Sequence, residues 1–150
     1  MQSPTNQAFS PNTKVNWWSA LVGSAAAIGG SAFLGTVVAN AYLWLHLAKG
    51  FSPEQAYAQM GRGLTSTVEL LSLATLAIAT VFGGYVSALY GKGRDLIQGL
   101  IAGVLSTSFF FVMALNPAST SVLTWSAAIY FVVATLSGLF GGFVRAQRTV

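Results

Sequence analysis

Four apolar stretches, each long enough to cross a bilayer as a helix, leave this chain little choice of fold. They cover about residues 16–48, 66–90, 96–115 and 122–144. A hydrocarbon core of ~30 Å takes about 20 helical residues at ~1.5 Å each. Inside lipid every backbone N–H and C=O must be satisfied within the protein, so such runs fold as helices. Charged residues make up 7% of the chain, against about 25% in a soluble domain, which is too few to clothe a water-exposed surface. The expected fold is all-α. It is a four-transmembrane-helix bundle of two antiparallel helical hairpins, a single integral membrane domain over 1–150 with a polar N-terminal tail at about 1–14.

The first stretch is over-long. Trp17 and Trp18 at one end and Tyr42 and Trp44 at the other sit where aromatic belts form, so the excess implies tilt or projection beyond the headgroups. Ala39-Asn40-Ala41 matches a signal-peptidase pattern. The apolar run before it exceeds the ~7–15 residues of a signal h-region, however, and the stretch is expected to be kept as a span. The third stretch stops at Asn116-Pro117, because proline cannot continue a helix. The 116–121 link is short and uncharged, which fits a tight hairpin between the third and fourth helices.

The 49–65 link carries its own helix signal. Ser52 can cap, Pro53 suits the first helical position and Gln55 completes a capping box, with Phe51 and Ala56 as a hydrophobic staple. Gly61 and Gly63 would end it after Met60. A short interfacial helix is expected there.

Lysine and arginine set the expected orientation. Lys14, Lys92, Arg94, Arg145 and Arg148 fall on the side of the termini, and Lys49 and Arg62 on the other. This bias puts both termini in the cytoplasm of a multi-pass protein of the bacterial inner membrane. The net charge of +4 is confined to segment ends, a topology signal and not a nucleic-acid footprint.

A motif recurs at the ends of the second and fourth stretches: Phe82-Gly83-Gly84-Tyr85-Val86 and Phe140-Gly141-Gly142-Phe143-Val144. Both copies end on the same side, which implies parallel repeats about a pseudo-two-fold axis along the membrane normal. The first and third helices match poorly, Ser19 to Gly23 against Gln98 to Ala102, so the repeat rests on the second and fourth.

Membrane helices associate by close packing, which small residues permit. Ser19, Gly23, Ala27, Ser31, Gly35 and Ala39 form a long small-residue row on the first helix. Shorter rows are Thr75, Ala79, Gly83, Ser87 and Gly91, beside Gly84; Gly99, Gly103 and Thr107; and Ala134, Gly138, Gly142 and Ala146. Short rows also arise from composition, so the long one is the stronger packing candidate. Its partner can be inside this chain or in another protein.

Candidate chemistry is sparse. There is no cysteine, no carboxylate pair, no Ser/His/Asp set and no metal-ligand spacing. His46, the only histidine, could ligate a haem or chlorophyll or bond a quinone. The plainer reading is an interfacial residue facing headgroups, and a bis-histidine haem would need a second histidine. Glu69 is the only acid in or near a span, where an ion or polar site is the default hypothesis. Yet Ser66-Thr67-Val68-Glu69 also spells a capping box. Asp95 with Gln98 resembles a cap for the third helix. Asn40, Gln98, Thr80, Thr107 and Tyr130 can hydrogen-bond between helices, and Phe109-Phe110-Phe111 is apolar surface for lipid or a partner.

Phe82-Gly83-Gly84-Tyr85, Gly91-Lys92-Gly93, Gln98-Gly99-Leu100-Ile101-Ala102-Gly103 and Leu139-Phe140-Gly141-Gly142 together resemble the YrzE-like small four-helix bacterial membrane proteins, over about residues 70–145. The resemblance implies fold and compartment and carries over no catalytic residue. The long 49–65 connection and the polar tail are less typical of that family.

The expected role is a non-catalytic accessory, scaffold or assembly subunit of a larger membrane complex. It would need no cofactor, and its partners would be lipids and other integral membrane subunits. The alternative is a small homo-oligomeric channel or transporter. Small multidrug exporters, also four spans long, need a carboxylate in the first helix, and this one has none.

Overall fold

The structure, a computed structural model, describes residues 14–60, 67–91, 93–114 and 125–148, the side chains of 59, 60, 67–69, 113, 114, 125 and 126 excepted. The polar tail before Lys14, the glycines proposed to end the short helix, Arg62, Ser66, Lys92 and the 116–121 link lie outside the described residues. Five helices follow in order: α1 (Trp17–Ala48), α2 (Pro53–Met60), α3 (Thr67–Gly91), α4 (Asp95–Ala114) and α5 (Trp125–Gln147). All but α2 are long and apolar enough to cross a membrane. The protein is an all-α, multi-pass integral membrane protein.

Local chemistry sets the helix ends. Asn16 caps α1: its side-chain oxygen accepts from the N–H groups of Trp18 (3.2 Å) and Ser19 (3.3 Å), two donors the first turn leaves open. At the other end the chain closes in a Schellman motif. Gly50, at φ +85°, takes the left-handed position that glycine adopts without a Cβ penalty. Its N–H donates to Leu47 O, and the Phe51 N–H donates to His46 O. Between these caps α1 runs 32 residues, or ~48 Å at ~1.5 Å per residue, well beyond the ~30 Å it must cross.

Helix α2 starts on the capping box expected from its sequence. Gln55 N–H donates to Ser52 Oγ (3.3 Å) and Ser52 N–H donates to Gln55 Oε1 (3.0 Å). Ala56 is fully buried where α2 meets α1. The Glu54 carboxyl is held below its ordinary value of 4.5 by its own backbone N–H, then by the Ser52 hydroxyl. A depressed carboxyl stabilises the folded form above its unfolded pKa, and that contribution disappears as pH falls through the folded value. Protection of the amides at residues 53–58, taken relative to their intrinsic exchange rates, should therefore fall when pH is lowered through the carboxylate range, and Glu54→Gln should remove that pH step.

The long helices pack as a triangle with an addition. Helices α3, α4 and α5 touch one another, and α1 lies along α3 and, more lightly, α4. Glycine backbones make the contacts. A Cβ placed on Gly23 would stand 2.5 Å from Gly83 O and 2.5 Å from the Ser87 Cβ, and one on Gly83 would strike Gly23 O and Ala27. Across the triangle, Gly84 lies against Gly138 O, Gly141 against Val81 O, Gly99 against Gly138 O, and Gly142 against Asp95 O. Lipid gives no hydrophobic drive for helices to meet, so backbone-to-backbone approach and the dispersion it brings must hold them.

The repeated motif sits where α3 and α5 cross, and the two copies meet face to face. They do not play equivalent parts. Copy one turns its first glycine, Gly83, to α1 and its second, Gly84, to α5; copy two turns its first, Gly141, to α3 and its second, Gly142, to α4. A two-fold axis would send Gly141, and not Gly142, to the hairpin partner. It would also make α1 meet α5 as closely as α4 meets α3, and α1 does not. The internal two-fold implied by the repeat is therefore broken. The physical source is the poor match of the first and third helices: α4 brings Gly99 and Gly103 and nests between α3 and α5, and α1 cannot do the same.

Candidate functional site

The polar interior gathers at the bundle end that carries the start of α1, the end of α3 and the start of α4. Gln98 is fully buried there. Its Nε2 donates to Ser19 Oγ (3.1 Å) and Asn16 O (3.2 Å), and its Oε1 accepts from Asn16 N–H (2.6 Å); the opposite amide orientation would set two donors against each other. Ser19 Oγ also lies 2.8 Å from Asn16 O, and Ser87 Oγ donates to the Gln98 carbonyl at 3.1 Å. Asn16 Nδ2 reaches the Tyr90 carbonyl at 3.4 Å. One amide thus ties the cap of α1 to α4, while Ser87 ties α3 to the same residue. A shallow cavity of ≈ 250 Å³ opens beside it, lined by Asn16, Trp18, Ser19, Val22 and Tyr90.

This corrects one expectation. Gln98 does not close a capping box with Asp95; its side chain turns inward to α1. Three others expected to bond between helices bond within their own helix: Thr80 Oγ1 donates to Leu76 O, Thr107 Oγ1 to Gly103 O and Asn40 Nδ2 to Thr36 O. In lipid an unmatched hydroxyl finds the carbonyl one turn back before it finds another helix. Asn16 and Ser87 were not singled out for this role, although Asn ahead of Trp-Trp-Ser is a cap signal.

His46 lies in the motif that closes α1. Its Nδ1 is 3.0 Å from the Tyr42 carbonyl, which only accepts, so Nδ1 carries the proton and donates. Its ring centre lies 4.0 Å from that of Tyr42 and 5.4 Å from that of Phe51, tilted to both. These contacts give it a clasping part at the helix end. Among the described residues no group of three His, Cys, Asp or Glu side chains could hold a metal. The Glu69 side chain lies outside the described residues.

The small-residue row on α1 divides. Ser19, Gly23 and Ala27 are buried against the bundle, whereas Ser31, Gly35 and Ala39 are only partly covered. A Cβ on Gly30 would still meet Ala79 at 3.3 Å, but one on Gly35 would meet nothing within 4 Å. Phe33, Val37, Trp44 and Leu45 on the same half of the helix are exposed. Gly83 packs on α1, Gly84 on α5, and Gly99, Gly103, Gly138 and Gly142 line the α4–α5 seam.

No protein-family model matches the chain, and neither a curated protein nor a solved structure matches it.

Proposed function

We propose that the protein is a non-catalytic accessory, scaffold or assembly subunit of a larger complex in the bacterial inner membrane, with both termini cytoplasmic. The observation that carries this reading is the divided row on α1. Its first half shows what such a row does when it has a partner: Gly23 and Ala27 meet Gly83 backbone to backbone. Its second half, from Ser31 through Gly35 to Ala39, repeats the spacing but is only partly covered among the described residues, and a Cβ on Gly35 would meet nothing within 4 Å. A second transmembrane helix with small residues at the same spacing is the occupant such a surface suits. The resemblance to the YrzE-like proteins belongs to this proposal and adds nothing to its chemistry.

Two substitutions separate internal packing from assembly. Gly23→Leu should destabilise the isolated protein, because its side chain would enter the α3 backbone. Gly35→Leu should leave the isolated protein melting as wild type does, within about 0.5 kcal/mol, and yet release it from its complex in native membranes. Loss of folding in Gly35→Leu, or normal assembly of it, would contradict the proposal.

A further inference from the structure

Helix α1 outlasts the helices beside it. Its start is level with that of α4, because the Gln98 amide meets Ser19 and Asn16. As first and third spans the two run in the same direction, so the end of α4 at Ala114 falls level with about Gly35. Gly23 against Gly83 and Gly30 against Ala79 likewise set the start of α3, at Thr67, level with about Ala41. Helix α1 continues to Ala48. The stretch from Gly35 to Ala48, about 13 residues or ~20 Å, therefore passes beyond the hydrocarbon that α4 spans.

One side of this half of α1 is bare among the described residues. Phe33, Val37, Asn40 and Trp44 follow one another at intervals of four, three and four residues, the spacing of a seam between two helices. All four are exposed, Phe33 by 69% and Trp44 by 71%. At about 100° per residue the stripe lies opposite Gly35 and opposite His46, where Phe51 closes the helix. No Lys, Arg, Asp or Glu occurs from Val15 to Ala48. Within the stripe, Asn40 Nδ2 donates to Thr36 O at 2.8 Å. That bond uses one of the amide's two N–H groups and leaves the other, with the carbonyl oxygen, for a partner. An aromatic belt accounts for Trp44 as a single anchor. It does not account for an aligned stripe that includes an amide and runs on past the end of α4.

We propose that α1 pairs with α1 of a second copy of this chain along Phe33, Val37, Asn40 and Trp44. Copies inserted the same way round in one membrane are related by a two-fold axis along its normal. That axis makes the helices parallel and sets each residue opposite itself. The stripe suits the arrangement at every position. Apolar side chains meet apolar ones, no charge meets its like, and the two Asn40 amides can each donate and accept, since one group carries both functions. A pair of amides in an otherwise apolar seam fixes register at a cost in stability. In a lone copy lipid tails would cover Phe33 and Val37, whereas past the hydrocarbon the second Trp44 supplies the cover. The pairing face is distinct from the Ser31, Gly35 and Ala39 row, so it does not rest on the assembly reading.

The chain has no cysteine of its own, so single cysteines placed along α1 report its neighbours. Full-length protein in its native membranes would be oxidised with copper phenanthroline, because a disulfide forms only where Cβ atoms come within about 3.5–4.5 Å. Val37→Cys, Asn40→Cys and Trp44→Cys should give a band at twice the chain's mass, about tenfold stronger than Gly35→Cys or Ala39→Cys. Light scattering of the purified wild type should give the mass of two copies, and Trp44→Lys, which sets two like charges face to face, that of one. Gly35→Leu should keep the pair even as it loses other subunits, so the two interfaces fail separately. Monomer mass for the wild type, crosslinking absent or equal at all five positions, or crosslinking confined to Gly35→Cys and Ala39→Cys would each overturn the proposal.

Discussion

Gly138→Leu is expected to abolish the folded bundle. A Cβ on Gly138 would stand 2.5 Å from Gly99 O and 2.9 Å from Gly103 Cα, and the Gly138 carbonyl itself fills the space beside Gly84. The obstacle is α4 backbone at two successive turns, not the movable tip of a side chain. Overpacking by a methyl or two typically costs about 1–3 kcal/mol. Leucine adds further atoms where the first has no room, so the loss should exceed that range and separate α5 from both α3 and α4. Thermal unfolding in mild detergent and the near-ultraviolet dichroism of the aromatic residues would report it. Gly29→Leu is the matched control, since nothing lies within 4 Å of a Cβ there. If Gly138→Leu melts as the control does, glycine-mediated crossing is not what holds these helices.

The second large effect is expected at Gln98. Gln98→Leu keeps much of the volume but leaves Asn16 N–H and Ser19 Oγ without the amide that organises them, while the Ser87 bond to the residue-98 carbonyl is kept. Interhelical hydrogen bonds in membranes average about 0.6 kcal/mol, and each buried backbone group left open costs about 1–3 kcal/mol. The second term is the larger, so a destabilisation of about 2 kcal/mol or more is expected, concentrated at the start of α1. Trypsin should then cut faster after Lys14, which is exposed next to that cap. Thr80→Val is the contrast: Thr80 is equally buried but bonds only its own helix, to Leu76 O. It should change stability by less than about 0.5 kcal/mol, as its bond crosses no interface.

Much of the fold was legible because membrane helices leave strong local marks. The apolar runs placed the four spans, and Ser52, Pro53 and Gln55 placed α2 with its capping box. Helix α5 continues to Gln147, past the expected end at Val144. Which helix each glycine faces was harder to read. The doubled Phe-Gly-Gly motif suggested equivalent copies, but equivalence depends on the neighbours, and α1 and α4 differ in where their small residues fall. Gln98 illustrates the same limit. Its type and depth said that it would bond, but only the three-dimensional approach of the Asn16 cap could say to what. The small-residue row on α1 was visible as a whole, whereas its division shows only in space: a Cβ on Gly30 would meet Ala79 and one on Gly35 would meet nothing.

The most direct test of the assembly account is isolation of the tagged protein from native membranes in mild detergent, in parallel with Gly35→Leu. The account predicts that the wild type elutes with other integral membrane subunits in fixed stoichiometry, and that Gly35→Leu, equally stable, elutes without them. A wild-type protein that elutes alone as a symmetric homo-oligomer and carries ions across liposome membranes would contradict it.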